Sequence, residues 1–251
     1  MIGVGAMIGA GIFVLTGIAA GVSGPASIVA FALNGFVTLL TAFAYAELAA
    51  AIPEAGGGYA FVRRAFPGVV GFTAGWMLWF AYTVACSLYA LGFAGYFWEF
   101  FLKYMPTAAE GMFGLVTEHG AGLIVTFVVA VMFIRLNARG SEVTGMTENV
   151  LTDAKLLILG VFIAYGLKAV GVSPTESAGA FNPFFPQGMG GVIVAMGLTF
   201  IAFEGYDLIA TVAEEIKEPE KNIPRATFIS LGITIVFYLL ILFVSVSYTH
   251  L

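Results

Sequence analysis

Seven apolar runs divide this chain, and most are long enough to cross a bilayer. They fall at about Met1–Gly21, Ala26–Ile52, Val69–Phe101, Gly122–Ile134, Val150–Val170, Gly191–Ala213 and Thr227–Ser245. A spanning helix needs about 20 apolar residues. The third run is long enough to tilt or to project from the lipid, and the fourth is short before Arg135. Turn formers separate the runs: Gly24-Pro25, Pro53 with Gly56 to Gly58, Pro106, Pro174, Pro183 with Pro186, and Pro219 with Pro224. Of the 251 residues, 60% are hydrophobic and 10% charged, whereas soluble domains carry roughly 25% charged residues. So much apolar surface cannot be hidden from water, and lipid must be the solvent. The predicted fold class is all-α, a polytopic integral membrane protein of about seven transmembrane helices in one domain over residues 1–245.

Two of these runs are interrupted by glycine. The first contains Ile8-Gly-Ala-Gly-Ile12, and the sixth contains Phe203-Glu-Gly-Tyr-Asp207 with an acid pair. Glycine weakens a helix, and a carboxylate in hydrocarbon is costly. Membrane proteins keep such features where unwound backbone lines a cavity, and paired broken helices point to a transporter's substrate site.

Other classes find little support. The net charge of −5 leaves no basic footprint for nucleic acid. Cys86 is alone, so no internal disulfide is possible, and its apolar surroundings predict a buried, inert thiol. His119 and His250 lack ligand-spaced neighbours, which argues against zinc. No Asp-x-x-Asp, His-Glu-x-x-His or serine between glycines suggests an enzyme. The first run lacks the basic start and small-x-small cleavage site of a signal peptide.

Charge sets the expected orientation. The connections after spans two, four and six hold Arg63, Arg64, Arg135, Arg139, Lys217, Lys221 and Arg225; the opposite side holds Lys103 and Lys168. Seven against two places the first side in the cytoplasm, with the N-terminus cytoplasmic and the chain in the cell membrane. Met1 begins inside an apolar run, and Val246–Leu251 match one reading frame of a transposon-end adapter used in DNA sequencing. Residues 246–251 are therefore expected to be a library artefact, and the natural protein to continue.

Four stretches, in this order and spacing, resemble a known family: Gly3-Val-Gly-Ala-Met-Ile-Gly-Ala-Gly-Ile-Phe13; Tyr45-Ala-Glu-Leu to Ile52-Pro-Glu-Ala-Gly-Gly-Gly-Tyr59; Glu148-Asn to Lys155; and Phe203-Glu-Gly-Tyr-Asp through Glu214-Glu-Ile-Lys-Glu-Pro to Ile223-Pro-Arg-Ala226. The chain resembles an amino acid permease of the amino acid–polyamine–organocation superfamily. The resemblance implies a leucine-transporter-like fold built from two inverted five-helix repeats, usually with about twelve spans. This chain would hold the first repeat plus two helices of the second, with helices 1 and 6 broken. The implied activity is secondary active transport of amino acids by alternating access, proton-coupled and without a cofactor. A sodium-coupled or exchange-only amino acid or polyamine carrier of the same fold is the alternative.

The residues then acquire expected roles. At the first break, amides freed at the start of a half-helix suit a carboxylate, and the resemblance assigns it to Ala10, Gly11 and Ile12 beside Ile8. A helix-packing face of small residues, Gly3, Gly5, Gly9 and Gly11, is the competing reading. At the second break, carbonyls of Ile201, Ala202 and Glu204 suit an ammonium, which only donates. One break for each end of a zwitterion favours an amino acid or amine substrate. Phe203 and Tyr206 flank Gly205 and would cover the ligand, or they are ordinary packing aromatics. Glu204 could select cationic substrates, carry a proton, or be a structural carboxyl, and Asp207 shares its face. Lys155, about a turn and a half into span five and near 10 Å from its start, is implied to stand in for a sodium ion against the carbonyls of Gly5 and Ile8. There it could release and regain a proton, or it could snorkel to the interface. The charged connection from Glu214 to Arg225 reads as a solvated loop and a determinant of topology; salt bridges within it that form part of an inner gate are the competing reading, and exposed pairs are individually weak.

Overall fold

A computed structural model describes residues 2–106 and 118–248. Met1, Thr249, His250 and Leu251 lie outside the described residues, as does the side chain of His119. The regular structure of the described residues is helical: α1 Ile2–Met7, α2 Ala10–Ser23, α3 Ser27–Ala51, α4 Gly58–Ala65, α5 Gly68–Tyr104, α6 Glu118–Asn137, α7 Ser141–Val172, α8 Pro174–Gly179, α9 Gly188–Thr199, α10 Leu208–Thr211 and α11 Pro219–Tyr248. Tight 3-10 turns join them at Gly24–Ala26, Phe200–Phe203 and Ala213–Glu215.

Six helical stretches among the described residues are long and apolar enough to cross a membrane. The first, Gly3–Ala51, has 49 residues, about 73 Å of helix against a hydrocarbon core of about 30 Å. It makes two passes, because the backbone turns at Gly24 (φ 62°) and Pro25. Counted so, the described residues hold seven candidate passes. Proline sets several of the ends: α3 stops at Ile52 before Pro53, and α4 stops at Phe66 before Pro67, since the residue before proline is pushed out of the helical region.

Two boundaries correct the sequence expectation. The stretch after Pro53, where turn formers separate two runs, contains the short helix α4, which carries Arg63 and Arg64. Helix α7 begins at Ser141, nine residues ahead of Val150, because polar residues such as Glu148 do not interrupt helical hydrogen bonding. Lys155 therefore lies fourteen residues into its helix, about 21 Å along the axis rather than about 10 Å.

The chain divides into two compact units. One comprises Met1–Ala74 and Glu148–Leu251. Its core gathers Ile8, Ile12, Phe31, Val192, Phe203, Leu231, Tyr238 and Leu242, all essentially buried. Helix α3 packs along α11, α9 lies against α2 and α3, and α1 touches α11. The backbones approach closely where a side chain is missing: a Cβ on Gly191 would lie 2.9 Å from the Val22 carbonyl oxygen. The second unit, Gly75–Thr147, contains most of α5, α6 and the first turns of α7. Its apolar side chains, among them Trp76, Trp79, Phe127 and Ile134, are largely exposed, as suits a lipid solvent. Phe93, Phe97 and Phe101 stack at i, i+4 spacing, 5.8 and 5.5 Å apart. Cys86 is exposed here, not buried as expected: an apolar run does not say whether a residue faces protein or lipid.

Candidate functional site

The first span breaks between α1 and α2. Ile8 and Gly9 leave the helix, and Gly9 caps α2 in an extended conformation without a side-chain bond. The first amides of a helix have no intrahelical acceptor, so those of Ala10, Gly11 and Ile12 open α2 as donors. The side chains of Ile8 and Ile12 are buried. Ile8 N–H donates to the Val4 carbonyl and Gly9 N–H to the Met7 carbonyl, each at 2.8 Å.

The second break follows the 3-10 turn Phe200–Phe203. The chain turns through Glu204, Gly205, Tyr206 and Asp207 before α10 begins. Gly205 has φ 124°, and the Asp207 carboxylate accepts its N–H at 3.0 Å. Asp207 therefore holds the break open by satisfying a donor that the helix has lost.

The two breaks lie backbone to backbone. A Cβ on Gly11 would lie 2.8 Å from Ala202 Cα, and one on Gly205 would lie 2.9 Å from Ala6 C and Met7 N. Gly3 would meet Ile209 and Ser230, and Gly5 would meet Thr152 and Glu148. These four glycines are close-approach points within the protein, whereas Gly9, also part of the small-residue packing reading, meets only Ala6 O at 3.5 Å. A groove of about 650 Å³ lies elsewhere, at the far end of α2, lined by Ala20, Pro25, Glu176 and Asn182.

Side chains from two unbroken helices reach into the breaks. The Lys155 ammonium on α7 donates to the carbonyls of Gly5 and Ile8, both at 2.8 Å. The Tyr238 hydroxyl on α11, fully buried, lies 2.5 Å from the Met7 carbonyl oxygen and 2.8 Å from that of Ala202. A hydroxyl has one proton to give, so it serves these two acceptors in turn. Of the carbonyls expected to face an ammonium, Ile201 O accepts from Glu204 N–H at 3.2 Å and Ala202 O accepts from Tyr238. Sequence reasoning missed Tyr238, one tyrosine inside an apolar run. It also missed Asn34, which braces the approach to the second break from α3 by donating to Met196 O at 2.9 Å and Thr199 Oγ1 at 3.0 Å. A buried asparagine in an otherwise apolar span was the available signal.

The aromatics flanking Gly205 are anchored. Phe203 is buried against Phe31 and Tyr238, with ring centroids 5.8 and 5.1 Å away. The Tyr206 hydroxyl donates to Thr41 Oγ1 at 3.0 Å, and its ring meets Tyr45 edge-on. The Glu204 side chain is exposed rather than buried, with no hydrogen bond or ion pair among the described residues. Its backbone turns outward there, with ψ 150°. On the side carrying Arg63, the Ala55 N–H donates to Glu214 Oε1 at 3.1 Å and Gly56 N–H to the Thr211 carbonyl at 3.3 Å. These bonds tie the second connection to the end of the sixth span. No group of His, Cys, Asp or Glu suited to hold a metal occurs among the described residues.

The chain matches the family model described as amino acid permease over residues 1–248. It is 33% identical over 248 residues to the branched-chain amino acid permease BcaP of Bacillus subtilis, covering 95% of this chain and 51% of that protein. It is 34% identical to the methylthioribose transporter of the same organism, with coverage of 95% and 51%. Cationic amino acid transporter 7 (chloroplastic) of Arabidopsis thaliana is 32% identical, with coverage of 95% and 42%. The chain spans about half the length of the curated relatives it matches.

Proposed function

The chain belongs to the amino acid permease family, and from that premise we propose that it forms the substrate- and proton-handling part of a proton-coupled amino acid transporter. The observation that carries the reading is the Lys155 ammonium seated on the Gly5 and Ile8 carbonyls, beside the first break. Two converging carbonyls are what a bare cation would require, and here a protonatable group supplies the charge. The amides of Ala10, Gly11 and Ile12 would take the substrate carboxylate. Its ammonium would go to carbonyls of the second break, with Ala202 O released by Tyr238. Phe203 and Tyr206 would close over the ligand.

Transport would proceed by rocking of one helix bundle against another around this site. The protein would sit in the cell membrane with Arg63, Arg64, Arg135 and Arg139 in the cytoplasm. The exposed, unpaired Glu204 favours a substrate with a second positive group, a cationic amino acid or amine. A sodium-coupled or exchange-only carrier is the competing mechanism, and the lysine on the cation's two carbonyls weighs against sodium.

The test is Lys155→Ala in the intact natural protein, reconstituted in liposomes. Accumulation driven by a pH gradient should vanish while counterflow exchange of labelled amino acid persists. A variant that keeps the wild-type dependence on pH, or a wild type that needs a sodium gradient, refutes the coupling role.

A further inference from the structure

The polar face of α7 does not end at Lys155. Glu148, Thr152 and Lys155 are four and three residues apart, so they share one side of the helix. A Cβ on Gly5 would collide with the Thr152 hydroxyl oxygen and would lie 3.0 Å from Glu148 Oε1. The carbonyl of that same Gly5 receives the Lys155 ammonium. A carboxylate, a hydroxyl and an ammonium thus converge on one glycine of α1.

Thr152 makes this more than a solvated stripe. It is completely buried, and its hydroxyl has no hydrogen-bond partner. A buried hydroxyl without a partner is costly, so the Thr152 oxygen has its donor and acceptor capacity free for neighbours that move within reach. Helical side chains lean toward the N-terminus, which carries Lys155 back over Thr152 toward Glu148. Among the described residues, Glu148 is the charged side chain that acts on Lys155. Helices α1 and α2 bring no ionisable side chain to this face, and Asp153 lies on the exposed side of α7. Glu148 is half-buried and only five residues inside the candidate span that starts at Val143, about 7.5 Å from its edge.

We propose that Glu148 is the proton relay between Lys155 and the water at the start of α7, with the Thr152 hydroxyl bridging them. This rests on the proton-coupling reading of Lys155. In the step, one N–H bond of the ammonium breaks and leaves the neutral amine. The proton passes to the Thr152 oxygen as that hydroxyl releases its own proton, and an O–H bond forms on the Glu148 carboxylate. The carboxylic acid then gives its proton to water, and both residues return to their starting charge in the reverse phase of the cycle. A relay sets how fast protons move, not whether substrate binds.

The experiment uses the intact natural protein in liposomes loaded with a pH-sensitive dye, with labelled lysine and leucine as probes. Glu148→Gln should slow proton influx and gradient-driven uptake about a hundredfold or more, the lower end of the range for losing a positioned acid–base group. Counterflow exchange at equal pH should be unchanged. Glu148→Asp should recover most of the rate, and Thr152→Val should give an intermediate loss. Internal imidazole buffer should restore Glu148→Gln. Wild-type proton influx in Glu148→Gln, or a parallel loss of exchange, overturns the relay while leaving Lys155 coupling intact. A wild type that moves either probe without protons overturns both.

Discussion

Replacing Gly205 by alanine tests the packing of the two breaks directly. At φ 124° an L-residue sits in territory that is essentially glycine's alone, a strain of about 1–3 kcal/mol. The added methyl would lie 2.9 Å from Ala6 C and Met7 N. Both are main-chain atoms and cannot swing aside, so overpacking costs a further ~1–3 kcal/mol. The expected loss is about 2–6 kcal/mol, a large share of the ~5–15 kcal/mol that ordinarily holds a folded domain. The control is Gly17→Ala in α2, where nothing lies within 4 Å of the new methyl; helix propensity there favours alanine by up to about 1 kcal/mol. Unfolding by sodium dodecyl sulphate in mixed micelles, followed by circular dichroism, compares the two. If Gly205→Ala unfolds within ~1 kcal/mol of the wild type, a threshold set by glycine's ordinary helix penalty, the break does not rest on α1 as described.

Two further substitutions probe the polar bonds around the breaks. Tyr238→Phe removes the donor shared by Met7 O and Ala202 O; the loss should be about 1–3 kcal/mol in the same unfolding assay, larger than for Tyr165→Phe on the exposed face of α7. The Arg64–Glu54 pair at 2.8 Å is mostly exposed, so Arg64→Ala should change stability by no more than ~1 kcal/mol, a ceiling that the same titration would check.

The breaks themselves were legible because glycine and carboxylates have no ordinary reason to sit inside apolar runs. Ile8–Gly9 and Glu204–Asp207 announce themselves against their surroundings. What fills the breaks was less legible. Tyr238 is one polar atom on a large apolar ring, and nothing in its run separates it from a lipid-facing tyrosine. The distance of Lys155 from the start of its helix was underestimated because hydropathy ends a span at polar residues, whereas the main-chain hydrogen bonds of α7 run on through Glu148. Glu148 was visible as part of a motif, but its role depends on Gly5, 143 positions away, and only the tertiary arrangement brings them together.

A broken helix in lipid has to find new partners for the peptide groups it releases. Here the replacements come from intact neighbours: α7 lends the Lys155 ammonium to Gly5 and Ile8, and α11 lends the Tyr238 hydroxyl to Met7 and Ala202. The two donors differ in how they can let go. Tyr238 holds two acceptors with one proton, so a ligand ammonium arriving at Ala202 O still leaves the hydroxyl a bond to Met7 O. Lys155 holds two acceptors with three N–H bonds, and losing one proton leaves enough donors for both carbonyls while removing the charge that draws them together. The atoms that keep the first break stable are therefore the ones that a substrate or a proton would disturb. A donor substitution that leaves stability intact should accordingly leave transport intact as well, and one that changes transport should register in unfolding.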